Sequence, residues 1–125
     1  MSSGSKIKSF QDLVSWQEGH KLVVMTYQVT KVFPPEERYG LSNQMRRAAV
    51  SITSNIAEGF GRFTYKEKIR FYSLSHGSLT ELQNQFLISK DVGFLQKEEM
   101  DKIWIQTIHV KKLINGLIRS SKMRI

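Results

Sequence analysis

The chain is 125 residues long, 40% hydrophobic and 24% charged, a globular composition with room for one sizeable core. It has no cysteine, which excludes disulfides, thiolate catalysis, zinc ribbons and iron–sulfur clusters, and no apolar run approaches the roughly 20 residues that span a bilayer. The formal charge is +8, and beyond Asp101 every charged group is a cation: Lys102, Lys111, Lys112, Arg119, Lys122 and Arg124. Such a basic end attracts polyanions, although cations in a last helical turn also oppose the helix dipole.

Taken in chain order, residues 1–9 are polar, contain no apolar stretch of signal-peptide length, and are expected to be a flexible segment of a cytoplasmic protein. A single domain is expected over 10–122, with 123–125 as a tail. The first helix should run from about Phe10 to Phe33, where Pro34-Pro35 stops it. Glu36 to Gly40 then forms a connection. Ser42 is the expected N-cap of a second helix from Asn43 to Glu58, with Gly59 as its C-terminal stop. After the turn Gly59-Phe60-Gly61-Arg62-Phe63, Thr64 and Glu67 have the spacing of a capping box for a third helix that reaches about Val92 and stops at Gly93. A fourth should begin near Gln96, with acids in its first turns, and continue to about Lys122. No segment holds a strand period. Four helices on short connections imply an all-α, antiparallel up-down-up-down four-helix bundle.

The first helix is apolar on too many sides. Trp16, His20, Val23, Tyr27 and Thr30 form one stripe, and Val14, Met25, Val29 and Val32 lie roughly opposite. One stripe serves the bundle's own core; a second points to contact with another subunit, with Trp16, Met25 and Val29 as interface candidates. On the third helix Phe71, Ser75, Ser78, Leu82, Phe86 and Ser89 share a face on which small residues between large ones admit a close neighbour. On the fourth, Ile103, Val110 and Leu117 recur at core spacing, flanked by Trp104, Ile108, Ile114 and Ile118.

Little in the chain suggests catalysis. A di-iron bundle site needs Glu-x-x-His pairs, and no carboxylate stands three residues before His20, His76 or His109. His-Glu-x-x-His, Gly-x-Ser-x-Gly and Walker patterns are also missing, so no enzyme, metal or cofactor is expected. The densest polar pattern is on the second helix, where Arg47, Ser51, Asn55 and Glu58 fall near one face. Asn55 and Glu58 read as hydrogen-bonded structural or interface groups, while Arg46 and Arg47 are open to either a structural role or an acidic partner. Gly59-x-Gly61-Arg62 before a helix start could cradle an anion between free amides, Arg62 and Lys66, but it reads equally as a helix stop and tight turn. Exposed aromatics for base stacking are not expected.

The stretch Tyr39-Gly40-Leu41-Ser42-Asn43-Gln44-Met45-Arg46-Arg47-Ala48-Ala49-Val50-Ser51-Ile52-Thr53-Ser54-Asn55-Ile56-Ala57-Glu58-Gly59 resembles a bacterial family. These are the four-helix-bundle proteins encoded in intervening sequences of 23S ribosomal RNA genes, also called the S23-type family. Trp16, Phe33-Pro34 with Glu37, Arg70-Phe71, Gly77-Ser78-Leu79-x-Glu81-Leu82 and Gly93-Phe94 extend the resemblance over nearly the whole chain. Thr53 stands where the family often has proline. The resemblance implies an antiparallel bundle that assembles as a ring, commonly a pentamer. Similar bundles include accessory proteins of diversity-generating retroelements, which are basic and bind nucleic acid and a reverse transcriptase. The ribosomal label reflects gene location. The resulting expectation is a homo-oligomer that binds RNA or other nucleic acid, with Arg46, Arg47, Arg62, Lys66, Lys111, Lys112 and Arg119 as phosphate contacts, and a protein-interaction scaffold as the alternative. Gly59 is expected to matter structurally.

Overall fold

The structure is a computed structural model that describes residues 6–125. Part of the expected flexible segment, residues 1–5, lies outside the described residues. Four helices make the fold, α1 Val14–Thr30, α2 Leu41–Phe60, α3 Tyr65–Asp91 and α4 Lys97–Lys122, and no strand occurs among the described residues. Each helix packs on its neighbours in sequence, and α1 closes against α4. The directions alternate. Phe33, after α1, packs on Phe94 in the α3–α4 connection with ring centroids 5.4 Å apart, while Arg124, after α4, lies 5.7 Å from the ring of Tyr65 at the start of α3.

The first helix begins later than its hydrophobic pattern suggests. Ser9 and Asp12 form a capping box around a separate 3-10 turn, Phe10–Asp12, and Leu13 is extended before α1 starts. At the other end the two prolines restrict Phe33 and end the helix early. The second helix starts at Leu41 rather than after Ser42, because the Glu37 carboxylate accepts the Leu41 N–H at 3.1 Å and leaves Ser42 buried. It also continues through Gly59 to Phe60. Gly59 is therefore a close-approach residue, not a stop. A Cβ there would lie 2.7 Å from the Tyr72 ring, so only glycine lets α2 meet α3 at this level.

The third helix begins as its sequence implies. Thr64 Oγ1 accepts the Glu67 N–H at 3.1 Å, though Glu67 returns to the threonine hydroxyl at 3.4 Å. It ends in a left-handed Gly93 with φ of 86°, and the Phe94 N–H donates to Ser89 O at 2.8 Å, a Schellman closure.

The core is built from Leu22, Met45, Ile52, Ile56, Leu79, Leu82, Phe86, Ile103, Val110 and Ile114, all effectively sealed from solvent. Thr30 of the first stripe is buried together with Ser15, Gly19, Leu22 and Thr26, and the remaining residues of the two α1 stripes flank that side. Small and hydroxylated residues can face the core because Thr26 and Thr30 donate to the carbonyls of Leu22 and Thr26, each at 2.7 Å. Polar side chains also bond between helices. Ser75 donates to Ile52 O at 2.7 Å, and Gln83 donates to Thr107 Oγ1 at 3.1 Å.

Candidate nucleic-acid interface

The alternating topology gathers the starts of α1 and α3 with the ends of α2 and α4. That end of the bundle carries Arg62, Lys66, Lys68, Arg70, Arg119, Lys122 and Arg124, against the nearby acids Asp12, Glu58 and Glu67. The opposite end mixes Lys31, Arg38, Lys90, Lys97 and Lys102 with Glu36, Glu37, Asp91, Glu98, Glu99 and Asp101. Charge is thus polarised along the bundle axis, which the linear sequence shows only in its last helix.

The expected phosphate contacts do not share one environment. Lys66 and Arg119 are exposed at the basic end, and Lys112 is exposed farther up α4. Lys111 is half-buried, with its Nζ 3.5 Å from Gln83 Oε1. Arg62 sits at the same end but is already matched by Glu58 at 2.8 Å and Glu67 at 4.0 Å, with its guanidinium 4.4 Å from the Phe71 ring centroid. The Gly61-Arg62 turn does line a concavity, but two carboxylates, Glu58 and Glu67, line it too and pair with Arg62, and Thr64 caps the Glu67 N–H.

The two neighbouring arginines separate. Arg46 clamps α2 to α1: its Nε donates to Thr30 Oγ1 at 2.8 Å, its Nη2 to Tyr27 O at 3.4 Å, and its guanidinium covers the Tyr27 ring at 4.7 Å. Arg47, one residue on, turns outward and lines a groove with Glu81 and Tyr39. Asn55 donates to Ser51 O at 2.9 Å and to Ser51 Oγ at 3.1 Å, and Ser51 in turn shares a 2.8 Å hydrogen bond with Ser78. Asn55 thereby supports the α2–α3 seam, while Glu58 is an exposed partner of Arg62.

Trp16 is half-buried, edge-on to Phe10 at 5.3 Å and stacked on His20 at 4.8 Å. Met25 and Val29 line a groove between α1 and α4 with Glu99, Lys102 and Ile103. Among the described residues no three histidine or acidic side chains converge as a metal site, and no helix is long and apolar enough to cross a membrane.

Two residues change the reading of aromatic exposure. Phe63, at the tip of the α2–α3 turn, is 98% exposed, and Tyr39, in the α1–α2 connection, is 85% exposed. Both stand beside turn glycines, where a large ring has no helix face to bury against; that context was the available signal. Lys68 is also absent from the expected set. Its ammonium donates to Phe60 O at 2.6 Å and lies 5.4 Å from the Phe60 ring, capping the end of α2.

This architecture agrees with the family comparison. A sequence model of the 23S rRNA-intervening sequence protein matches residues 11–116, and the chain belongs to that family. A solved structure of a protein of unknown function from the S23 ribosomal protein family of Bacteroides thetaiotaomicron is similar, with a TM-score of 0.78 at 17% identity, covering 84% of this chain and 98% of that one. At that identity the likeness extends to the fold. No curated protein matches the chain.

Proposed function

We infer that the protein is a non-catalytic homo-oligomer that binds RNA or another nucleic acid through the basic end of its bundle. The observation that carries this reading is the axial polarity of charge, with exposed Lys66, Arg119 and Lys122 at one end. Cations in that arrangement neutralise phosphates and release counterions, which gives affinity without reading sequence. The reading requires no cofactor, metal or membrane. Exposed Val14, Val24, Tyr27 and Val32 on or next to α1 support self-association, and the family resemblance favours a pentameric ring. A ring would set several basic ends side by side and raise the local field.

Titration of the protein against a structured RNA at two salt concentrations tests this. Binding at low salt that weakens steeply at higher salt is the expected result. No binding at low salt, or binding indifferent to salt, would remove the proposal.

One observation favours a protein-interaction scaffold as a second reading. Ile105 is 70% exposed on the outer face of α4, with Ile108 also exposed one turn on. A stable protein partner recovered equally with and without nuclease treatment would support that alternative.

A further inference from the structure

A groove on the outer face of α2 and α3 holds several polar groups with no hydrogen-bond partner among the described residues, beside Ser51 of the α2–α3 seam. It has a volume of about 410 Å³ and is lined by Tyr39, Asn43, Gln44, Arg47, Ser51 and Glu81. Such a volume is within the range of small-ligand sites. Tyr39 is 85% exposed, and among the described residues Arg38 alone has its cation over the ring, 5.6 Å from the centroid. Among the described residues Arg47 has no carboxylate within 4.0 Å, although Glu81 lines the same groove. The Asn43 and Gln44 amides are exposed. An aromatic ring, a guanidinium and a carboxylate therefore share one concavity without neutralising or covering one another.

Each group asks for a different part of one ligand. An exposed tyrosine ring offers a stacking surface to a flat base. A guanidinium is suited to phosphate, which it can meet with two parallel N–H bonds. An ionised carboxylate only accepts, so Glu81 requires N–H donors. Guanine presents two adjacent donors, N1–H and the N2 amino group, on the edge that pairing would occupy. We propose that this groove takes one unpaired guanine nucleotide of a nucleic-acid strand, with Tyr39 stacking on the base, Arg47 holding a phosphate and Glu81 accepting the N1 and N2 hydrogens. Asn43 and Gln44 supply further amide donors and acceptors at the rim. The proposal rests on the nucleic-acid reading above and adds a place where a base is read.

The test uses the full-length protein, a short labelled oligouridylate, and the same strand with one central guanosine. Both are offered as RNA and as the corresponding deoxy strands, beside the structured RNA used above. The guanosine strand should bind roughly tenfold more tightly than the plain strand, in the range of a good base-edge contact. A preference in either sugar chemistry supports the groove; a preference confined to RNA assigns a further contact to the 2′-hydroxyl. Tyr39→Ala should weaken the guanosine strand about tenfold, as loss of one stacked base does, while Tyr39→Phe retains binding. Glu81→Gln should erase the guanosine preference and leave binding of structured RNA intact.

Salt-dependent binding with no guanosine preference, or with Tyr39→Ala and Glu81→Gln both inert, would overturn the groove and leave the basic-end reading standing. Failure of every strand and of structured RNA to bind at low salt would overturn both. Light scattering of the variants decides the remaining alternative: a change in oligomer mass would make the groove a contact between copies and refute the proposal.

Discussion

Adding one methyl group at Gly59 should have the opposite effect to adding it at Gly77 or Gly116. All three glycines are helical, so alanine gains about 1 kcal/mol of helix propensity at each. At Gly77 and Gly116 a Cβ meets nothing within 4 Å, and that gain is retained. At Gly59 the Cβ would stand 2.7 and 2.9 Å from two carbons of the Tyr72 ring and 3.0 Å from Phe71 Cβ. Carbons rest at about 3.5–4.0 Å, so the helices must part or the ring must move by roughly an ångström. The ring has little freedom, since Tyr72 is only 2% exposed. Overpacking of this kind costs about 1–3 kcal/mol, enough to cancel the propensity gain and leave a net loss of about 1 kcal/mol. Thermal melts at one protomer concentration should show Gly59→Ala lowered by roughly 4 °C and Gly77→Ala and Gly116→Ala raised by a similar amount. If Gly59→Ala melts at or above the wild type, the α2–α3 approach is not limited by this glycine and the packing argument is wrong.

Arg46→Ala should destabilise by about 1–2 kcal/mol because it removes a charged hydrogen bond and a ring contact that join α1 to α2. Arg47→Ala should stay within about 0.5 kcal/mol, and equal losses in denaturant titrations would refute the division between the two. The Gln106 amide, and then Lys21, hold the Glu18 carboxyl below its ordinary value, with His109 Nε2 3.6 Å away. A depressed folded-state value means this carboxylate's contribution is whole above the unfolded-state value and is lost as pH falls through the folded-state one. Glu18→Gln should therefore lower the melting temperature at neutral pH and narrow its difference from the wild type in acid; an unchanged difference would contradict the assignment. Burial pushes the Tyr72 hydroxyl up to about 12, so absorbance titration should find one tyrosine that stays protonated above the ordinary tyrosine range, and Tyr72→Phe should remove that late step.

The helices were legible because propensity, capping and core spacing agree over most of the chain. The cap at Thr64 and the glycine closure at Gly93 depend on neighbours a few residues away, which a sequence displays directly. The start of α2 was misplaced because its cap comes from Glu37, across a 3-10 turn rather than from the adjacent serine. Most of the buried side of α1 was not legible, although Thr30 lies on a stripe the pattern shows, because Gly19 and Thr26 carry small or polar labels. They face the core only because hydroxyls bond within the helix and Gly19 meets Thr53 and Ile56. Among the candidate contacts, sequence could not separate Arg46 from Arg47, since one helical step turns the first onto Tyr27 and the second into a groove. That Lys66 and Arg119 share an end follows from the antiparallel order, which the sequence pattern already implied.

Binding through the basic end depends on where charge lies, not on how much there is. Two triple variants of equal net charge isolate it: Lys66, Arg119 and Lys122 changed to glutamate at the basic end, or Lys31, Lys90 and Lys102 changed at the other. The measurement is structured-RNA affinity across a salt series. The basic-end variant should lose most binding and most of the salt slope, while the opposite-end variant stays close to the wild type. Equal loss in both would mean that net charge alone attracts the RNA, and a basic-end variant that binds normally would contradict the account.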